Sequence, residues 1–354
     1  VEPQPLNFIK SLYPVSPKEG GGLRYTTLGK RGPRVSVVGL GFWQAGSRLW
    51  GSRDGGLRRR VVEALEIALS HGINFLDTAE VYGGGLSEEV LGDAVRALGR
   101  EGFVVASKVA GYRATGGSII RGVEGVNRRL GFKVDLIQLH WPPPHPWPLC
   151  WSIRGLEEAV LRGLAGYYGL SNFPRDMLEE ALQCSRRVEP VSNQIQYSLA
   201  FRAPEVDLIP YMRERGLALI AWSPLAKGAL AGVRKASTAA QRGDSVFRVV
   251  SADEELQRVL EDVAVRSGAS KAQVALAWLI FKGAIPIPGF RDPRRVEEYA
   301  RAADLVLSEG DIRLLDEVSA KYVHMWGGWH RGFKVMRFVP GLVQRLVLTA
   351  IGGL

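Results

Sequence analysis

The chain has 354 residues, enough for one large domain or two ordinary ones, and its 46% apolar and 23% charged content excludes a disordered or fibrous protein. A formal charge of +10 invites nucleic acid, but the arginines are spread along the chain at helical spacing, and neither zinc-finger spacing nor a basic region with heptads occurs. Only two cysteines, Cys150 and Cys184, are present, so no disulfide framework is expected; a reducing cytoplasm is the simplest setting, with one bridge between them left open.

Residues 1–22 lack the continuous apolar core of a secretory leader and read as an N-terminal extension. No clean apolar run is long enough to predict a spanning helix, so no membrane insertion is expected. Residues 23–39, "LRYTTLGKRGPRVSVVG", read as a hairpin around the turn "GKRGP". It would plug one mouth of whatever follows.

Eight short apolar runs come next, at 35–41, 73–77, 103–108, 134–140, 165–171, 191–196, 217–223 and 284–289. They show no clean alternation, as for strands covered on both faces. Amphipathic helical patterns lie between them, and those at 57–72 and 86–99 end at glycine, a favoured helix stop. The gap before the last run is about twice the others and holds one additional helix, "DEELQRVLEDVAVRSG". Alternating strands and helices imply a parallel sheet, and eight units imply closure into a (β/α)8 barrel over residues 23–320. An open doubly wound sheet is the competing fold. It needs a glycine fingerprint after its first strand, where this chain has bulky Phe42 and Trp43.

In such barrels the chemistry sits where strands end. The second run ends at Asp77, the third at Lys108 and the fourth at His140, with Tyr82 in the loop after Asp77. Singly, Asp77 reads as a helix cap, Lys108 as a lysine reaching solvent, and His140 as a structural histidine. Together they end three consecutive strands, and adjacent strands lie about 4.8 Å apart. A lysine ammonium held by an aspartate lowers a neighbouring phenol's pKa, and an imidazole can orient a carbonyl oxygen. Such a set moves a proton onto a forming alkoxide. It has no nucleophile and no metal triad, so it needs a hydride donor. A glycosidase would need two facing carboxylates, and only Asp77 qualifies.

These residues resemble the aldo-keto reductase superfamily. "GINFLDTAEVYGGGLSEEVLG", "DLIQLHWP", "GLSNF", "NQIQYSL", "AWSPLAKGAL" and "IPIPGFRDPRRVEEYA" match its motifs in order, from about Leu28 to Ser319. The layout is nearer to bacterial and archaeal members and to potassium-channel β-subunits than to mammalian aldose reductases. The resemblance implies Asp77, Tyr82, Lys108 and His140 as a catalytic tetrad with Tyr82 as proton donor. It implies NADP(H) across the barrel mouth, with NAD(H) the lesser candidate. Gly41, Phe42, Trp43 and Asp77 would border the cofactor. Ser171, Asn172 and Gln194 would hold its carboxamide, and Trp222 would stack on the nicotinamide ring. Ser223, Leu225, Lys227 and Gly228 would line the pyrophosphate under a covering loop at 227–250. Gly289, Arg291, Arg295, Glu298 and Tyr299 fall at the adenosine end. Gly289 and Tyr299 depart from the lysine and asparagine many members carry there.

The resemblance also implies a small carbonyl substrate, reduced to an alcohol, in a pocket walled by Phe42, Trp43, Tyr82, His140 and Trp141. The loop 141–151 either rims that pocket or packs on the barrel edge. The tail 321–354 carries five Lys/Arg and no acid and is otherwise apolar. It covers the mouth, forms a contact in a homo-oligomer, or lies on an anionic membrane surface. The rival function is a cofactor-sensing regulatory subunit with low turnover, in the manner of the channel β-subunits.

Overall fold

The computed structural model describes residues 23–50 and 55–350; the expected extension at 1–22 lies outside them. The expected hairpin forms from β1 (Tyr25–Thr27) and β2 (Arg34–Ser36), which pair antiparallel. The barrel strands follow as β3 (Leu40–Gly41), β4 (Phe75–Asp77), β5 (Val104–Val109), β6 (Val134–Leu139) and β7 (Ala165–Ser171). β8 (Ser192–Gln196), β9 (Ala218–Trp222) and β10 (Ala284–Pro286) complete the wall. All eight are parallel and lie in chain order.

Closure is made where β10 meets β3. Gly39 N donates to Pro286 O at 2.9 Å, Gly41 N donates to Pro288 O at 3.0 Å, and Gly41 bridges Gly289. A proline cannot donate to a ladder. On this seam Pro286 and Pro288 supply only carbonyls, while Ile287 N donates to Ala221 O on the other side at 3.1 Å. The (β/α)8 barrel is therefore the fold, and the open sheet is excluded.

The first apolar run does not stay one strand. Val35 and Ser36 belong to the hairpin, and the barrel strand begins only at Leu40. The chain crosses between them at Gly39, where a Cβ would stand 2.7 Å from the Phe75 ring. The hairpin turns Leu28 and Val35 into the barrel. Both are buried with Phe75, Ala106, Leu136, Val191, Ala218, Ile220 and Ile285, residues from most of the strands. Lys30 N also donates to Gly216 O at 3.1 Å. The plug closes the N-terminal mouth, and each side chain so buried contributes about 1.5–3 kcal/mol.

Outside the wall, the helices Leu57–Ser70 and Leu86–Leu98 stop before glycines with positive φ, Gly72 at 77° and Gly99 at 102°. The additional helix spans Glu254–Arg266 and is capped by Asp253, whose carboxylate accepts from Leu256 N at 3.2 Å. The tail forms three helices, Lys321–Met325, Arg331–Met336 and Gly341–Ala350. It lies against loops of the C-terminal mouth. Trp326 Nε1 donates to Ala200 O at 2.8 Å, Arg337 Nε to Pro143 O at 3.1 Å, and Trp141 Nε1 to Gln344 Oε1 at 2.9 Å.

Cys150 and Cys184 form a disulfide across 34 positions of sequence. It ties the helix Leu149–Leu161 to the helix Arg175–Cys184. The bridge left open by the sequence is therefore formed, and the low cysteine count no longer argues for a reducing compartment. Closing a loop of this size in the unfolded chain stabilises the fold by about 2–4 kcal/mol. Urea melts of Cys150→Ser are expected to show a loss of that size, and wild type under dithiothreitol should match it.

Candidate active site

Side chains on a strand alternate between faces, so every second residue points into the barrel. On β4 and β5 the inward series ends at Asp77 and Lys108; on β6 it passes through Gln138 to His140. The top interior layer is polar as a result. Lys108 Nζ makes a short contact with Asp77 Oδ1, with both side chains buried. The same ammonium donates to Thr78 O at 2.9 Å and to Tyr82 OH at 3.3 Å. The second Asp77 oxygen accepts from Gln138 Nε2 at 2.9 Å and from Gln194 Nε2 at 2.8 Å. Gln194 also donates to Gln138 Oε1 at 3.2 Å. The carboxylate is thus held from three strands, and its lone pairs are satisfied.

Tyr82 reaches this ammonium because the loop after β4 is pinned to β5. Thr78 N donates to Ala106 O at 2.9 Å and Glu80 N to Lys108 O at 3.1 Å. Glu80 returns to Ala110 N at 2.7 Å and grips Arg113 through both oxygens. The tyrosine opens a tight turn in which Gly83 has φ 61°, and a Cβ there would stand 2.8 Å from Gly46 O. Its ring meets the His140 ring edge-on, with centroids 5.6 Å apart. Trp141 lies against His140 at 4.9 Å. Val81, Trp141 and Tyr82 pack with Phe333, Met336 and Leu348 of the tail.

Burial pushes the Tyr82 phenol above its ordinary value, and Lys108 pulls it back without cancelling the rise. The expected lowering is therefore not met: burial of the phenol outweighs the cation. Burial also opposes the Lys108 ammonium, but Asp77 and then Tyr82 overcome it, and Lys108 stays charged. Burial, then repulsion from Lys108, holds the His140 imidazole well below the ordinary histidine range. The set comprises a neutral phenol, a fixed ammonium and a neutral imidazole at one mouth.

The residues expected around a cofactor fall into three places. Near the tetrad, Ser171 Oγ donates to Gln194 O at 3.1 Å. Asn172 Nδ2 donates to His140 O at 3.0 Å, and Trp222 Nε1 donates to Asn172 Oδ1 at 2.9 Å. The Gln194 amide nitrogen is committed to Asp77 and Gln138. Trp222 also borders a cleft of about 310 Å³ with Gln196, Phe201, Trp326, Trp329 and Phe333.

Across the mouth, Ser223, Leu225, Lys227 and Gly228 form a tight turn after β9. Asn172, Ser223, Ala226 and Lys227 are the non-glycine residues with positive φ among those described, and all four border the mouth. Lys227 Nζ pairs with Asp244 at 2.6 Å and stands 5.2 Å from the Trp43 ring centroid. The covering segment is held by two short helices, Ala239–Arg242 and Ser245–Ser251.

The third place is a cleft of about 390 Å³ lined by Gly41, Phe42, Gln44, Arg60, Phe290, Arg291 and Asp292. The Phe42 ring is buried edge-on against Phe290 at 5.5 Å, so the structure sets it here and not among the tetrad. Gly289 O accepts from Tyr299 OH at 3.0 Å. Arg295 is paired with Glu298 at 2.7 Å, and Glu298 also accepts from Ser270. Three contributors went unnamed in the sequence. Gln138 was findable, since it lies two residues before His140 on the same face. Asp244 and Gln344 carried no local signal.

Several buried polar atoms here have no hydrogen-bond partner: Trp43 Nε1, Gln44 Oε1, Ser47 Oγ, Trp50 Nε1 and His140 Nδ1. Buried polar groups are almost always paired, so a cluster of orphans marks a place for a polar ligand.

Comparison with known proteins agrees with this geometry. The aldo/keto reductase family profile matches residues 37–320. An uncharacterised oxidoreductase of Mycobacterium tuberculosis is 36% identical over 286 residues, covering 78% of this chain and 86% of that protein. A probable voltage-gated potassium channel subunit beta of Arabidopsis thaliana is 30% identical over 315 residues, covering 80% of this chain and 92% of the plant protein. An aldo-keto reductase from Klebsiella pneumoniae, solved in complex with NADPH, aligns with a TM-score of 0.67 at 31% identity, covering 81% of this chain and 92% of that one. With the match spanning the barrel from its first strand to its last helices, the chain belongs to the aldo/keto reductase family.

Proposed function

We propose that this chain reduces aldehydes or ketones to alcohols with NADPH, using Tyr82 as the proton donor. The observation that carries the reading is Tyr82 OH at 3.3 Å from a buried ammonium that Asp77 locks in place. The residues present fit a dinucleotide. Unpartnered polar atoms gather at Trp43, Gln44, Ser47 and Trp50, opposite the strained turn at Ser223–Gly228. When bound, NADPH supplies the hydride.

The chain's own residues do the rest. Trp222 walls the central part of the mouth and Asn172 is oriented by its indole. Lys227 and the covering segment close over the middle. Arg291 and Arg295 sit at the end suited to a 2′-phosphate, which the arginine fork grips with charge-assisted bonds. His140, neutral, offers a hydrogen bond to a substrate oxygen. Tyr82 gives its proton to that oxygen, and the Lys108 ammonium stabilises the phenolate left behind. The Asp77 carboxylate keeps the ammonium aimed. In the alcohol-to-carbonyl direction the same phenolate takes the proton back. The plant channel-subunit relative supports a second reading, a cofactor-binding regulatory subunit with low turnover. A stable partner in a pull-down, with negligible turnover on a panel of aldehydes, would favour it.

Tyr82→Phe should lower kcat roughly 10³-fold while leaving the NADPH Kd within about twofold, in stopped-flow turnover and fluorescence titration. Retained turnover in that variant would sink the mechanism. Arg291→Met with Arg295→Met should weaken NADPH roughly 10–100-fold and leave NADH unmoved. Equal losses for both cofactors would remove the phosphate assignment.

The unfolded chain protonates His140 near its ordinary value of about 6.5, and the folded chain only at lower pH. Between the two, protons favour the unfolded chain, so stability present above about pH 6.5 is lost as pH falls. The stability difference between wild type and His140→Gln should shrink below that point by up to about 1.4 kcal/mol per pH unit, read from urea melts. A difference that does not vary with pH would show that the imidazole titrates normally.

A further inference from the structure

The last tail helix turns Gln344 and Leu348 inward and most of its apolar side chains outward. In Gly341–Ala350 the polar Gln344 is the buried residue, hydrogen-bonded by Trp141 Nε1 at 2.9 Å. Leu342, Val343, Leu346 and Val347 point the other way, from 43% to 70% exposed. The preceding segment is exposed as well: Val335, in the helix Arg331–Met336, is 62% exposed and Phe338, in the turn after it, 74%. The Phe338 ring lies 5.0 Å from His145, in the loop that also presents the exposed Trp147, and the exposed Trp151 opens onto the same side from the helix Leu149–Leu161, its ring 5.6 Å from that of Trp147. An outward apolar stripe flanked by two tryptophans is far from the scattered exposure usual on a soluble surface.

The charge at its edges is of one sign. Residues 321–354 contain five Lys/Arg and no Asp or Glu. Lys334 is taken by Asp176, and Arg337 Nε is held by Pro143 O. Arg331 and Arg345 remain exposed on the tail, and Arg154 is exposed one turn beyond Trp151. A second copy packed on this face would bring arginines against arginines with no tail carboxylate to answer them. Anionic headgroups would answer them. A helix of this length spans about 15 Å, half a bilayer core. No helix among the described residues is long and apolar enough to cross a membrane.

We propose that the tail docks this protein peripherally on an anionic lipid surface, with Leu342, Leu346 and Phe338 in the interface and Arg331 and Arg345 on the headgroups. Interfacial helices bind through this combination of apolar area and basic charge. The same helix packs on the tetrad through Gln344 and Leu348, but Leu342, Leu346 and Phe338 have no part in the proposed reaction, so vesicle binding is read without turnover.

The test is co-sedimentation of the full chain with vesicles of phosphatidylcholine alone or mixed with phosphatidylglycerol. Wild type should bind the anionic vesicles roughly tenfold more tightly or better, and added salt should weaken this. Leu342→Gln with Leu346→Gln should abolish binding. Arg331→Gln with Arg345→Gln should remove most of the preference for anionic lipid. Unchanged thermal melts in both variants confirm that the fold is intact. Wild type that ignores the anionic vesicles, or binds both kinds equally, overturns the proposal. So does a concentration-dependent dimer, seen by light scattering, that Leu342→Gln with Leu346→Gln dissolves, since the face would then belong to a second copy.

Discussion

The buried ion pair of Lys108 and Asp77 is the interaction on which the rest of the structure depends. Taking two charges out of water costs several kcal/mol for each, and their attraction repays this only when every remaining hydrogen-bonding position is filled. Here the filling is complete. Gln138 and Gln194 satisfy the far carboxylate oxygen, and Thr78 O takes another ammonium proton. A barrel can supply such a set because four of its strands bring inward side chains to one level. Loss of either charge would leave the other buried and unpaired, a penalty of about 3–5 kcal/mol. The pair therefore serves the fold only if it is kept whole, and it presents one fixed proton-bearing group to Tyr82.

Above that layer the mouth stores strain. Asn172, Ser223, Ala226 and Lys227 hold left-handed backbone that ordinary residues avoid, at about 1–3 kcal/mol each. They are not scattered over the surface. They frame the edge along which Trp222 and Lys227 face the opposite rim at Trp43. The surrounding packing, not local preference, keeps them there: Asn172 is clamped by Trp222, and Lys227 by Asp244 and by Gln241 on its carbonyl.

Much of this was legible because strand ends are legible. Asp77, Lys108 and His140 close apolar runs, and the runs themselves marked the wall with few errors. The split between β2 and β3 was not, since Val35 and Leu40 look alike and only the approach of Gly39 to Phe75 separates them. The Tyr82 phenol was misjudged for a long-range reason. Its burial comes in part from packing near Phe333, Met336 and Leu348, some 250 positions later in the chain. The tail read only as basic and apolar; that Gln344 turns inward depends on Trp141, some 200 positions earlier, which donates to it. Two cysteines 34 positions apart say nothing of their distance in space. Gln138 is the instructive omission: it lies two residues before His140 and so on the same face of its strand, but attention to strand ends alone passes over it.

The hairpin plug has a consequence for how the molecule assembles. Leu28 and Val35 come early in the chain, yet they are buried against Val191, Ala218 and Ile285, which come late. Contacts between such distant positions demand large loop closures before they contribute, which slows folding. Until β10 arrives, the lower interior has a stopper with no complete neck to fit. The seam that admits β10 is short and carries two prolines. First and last segments are therefore interlocked. A half-barrel cut from this chain would have an open, wettable floor.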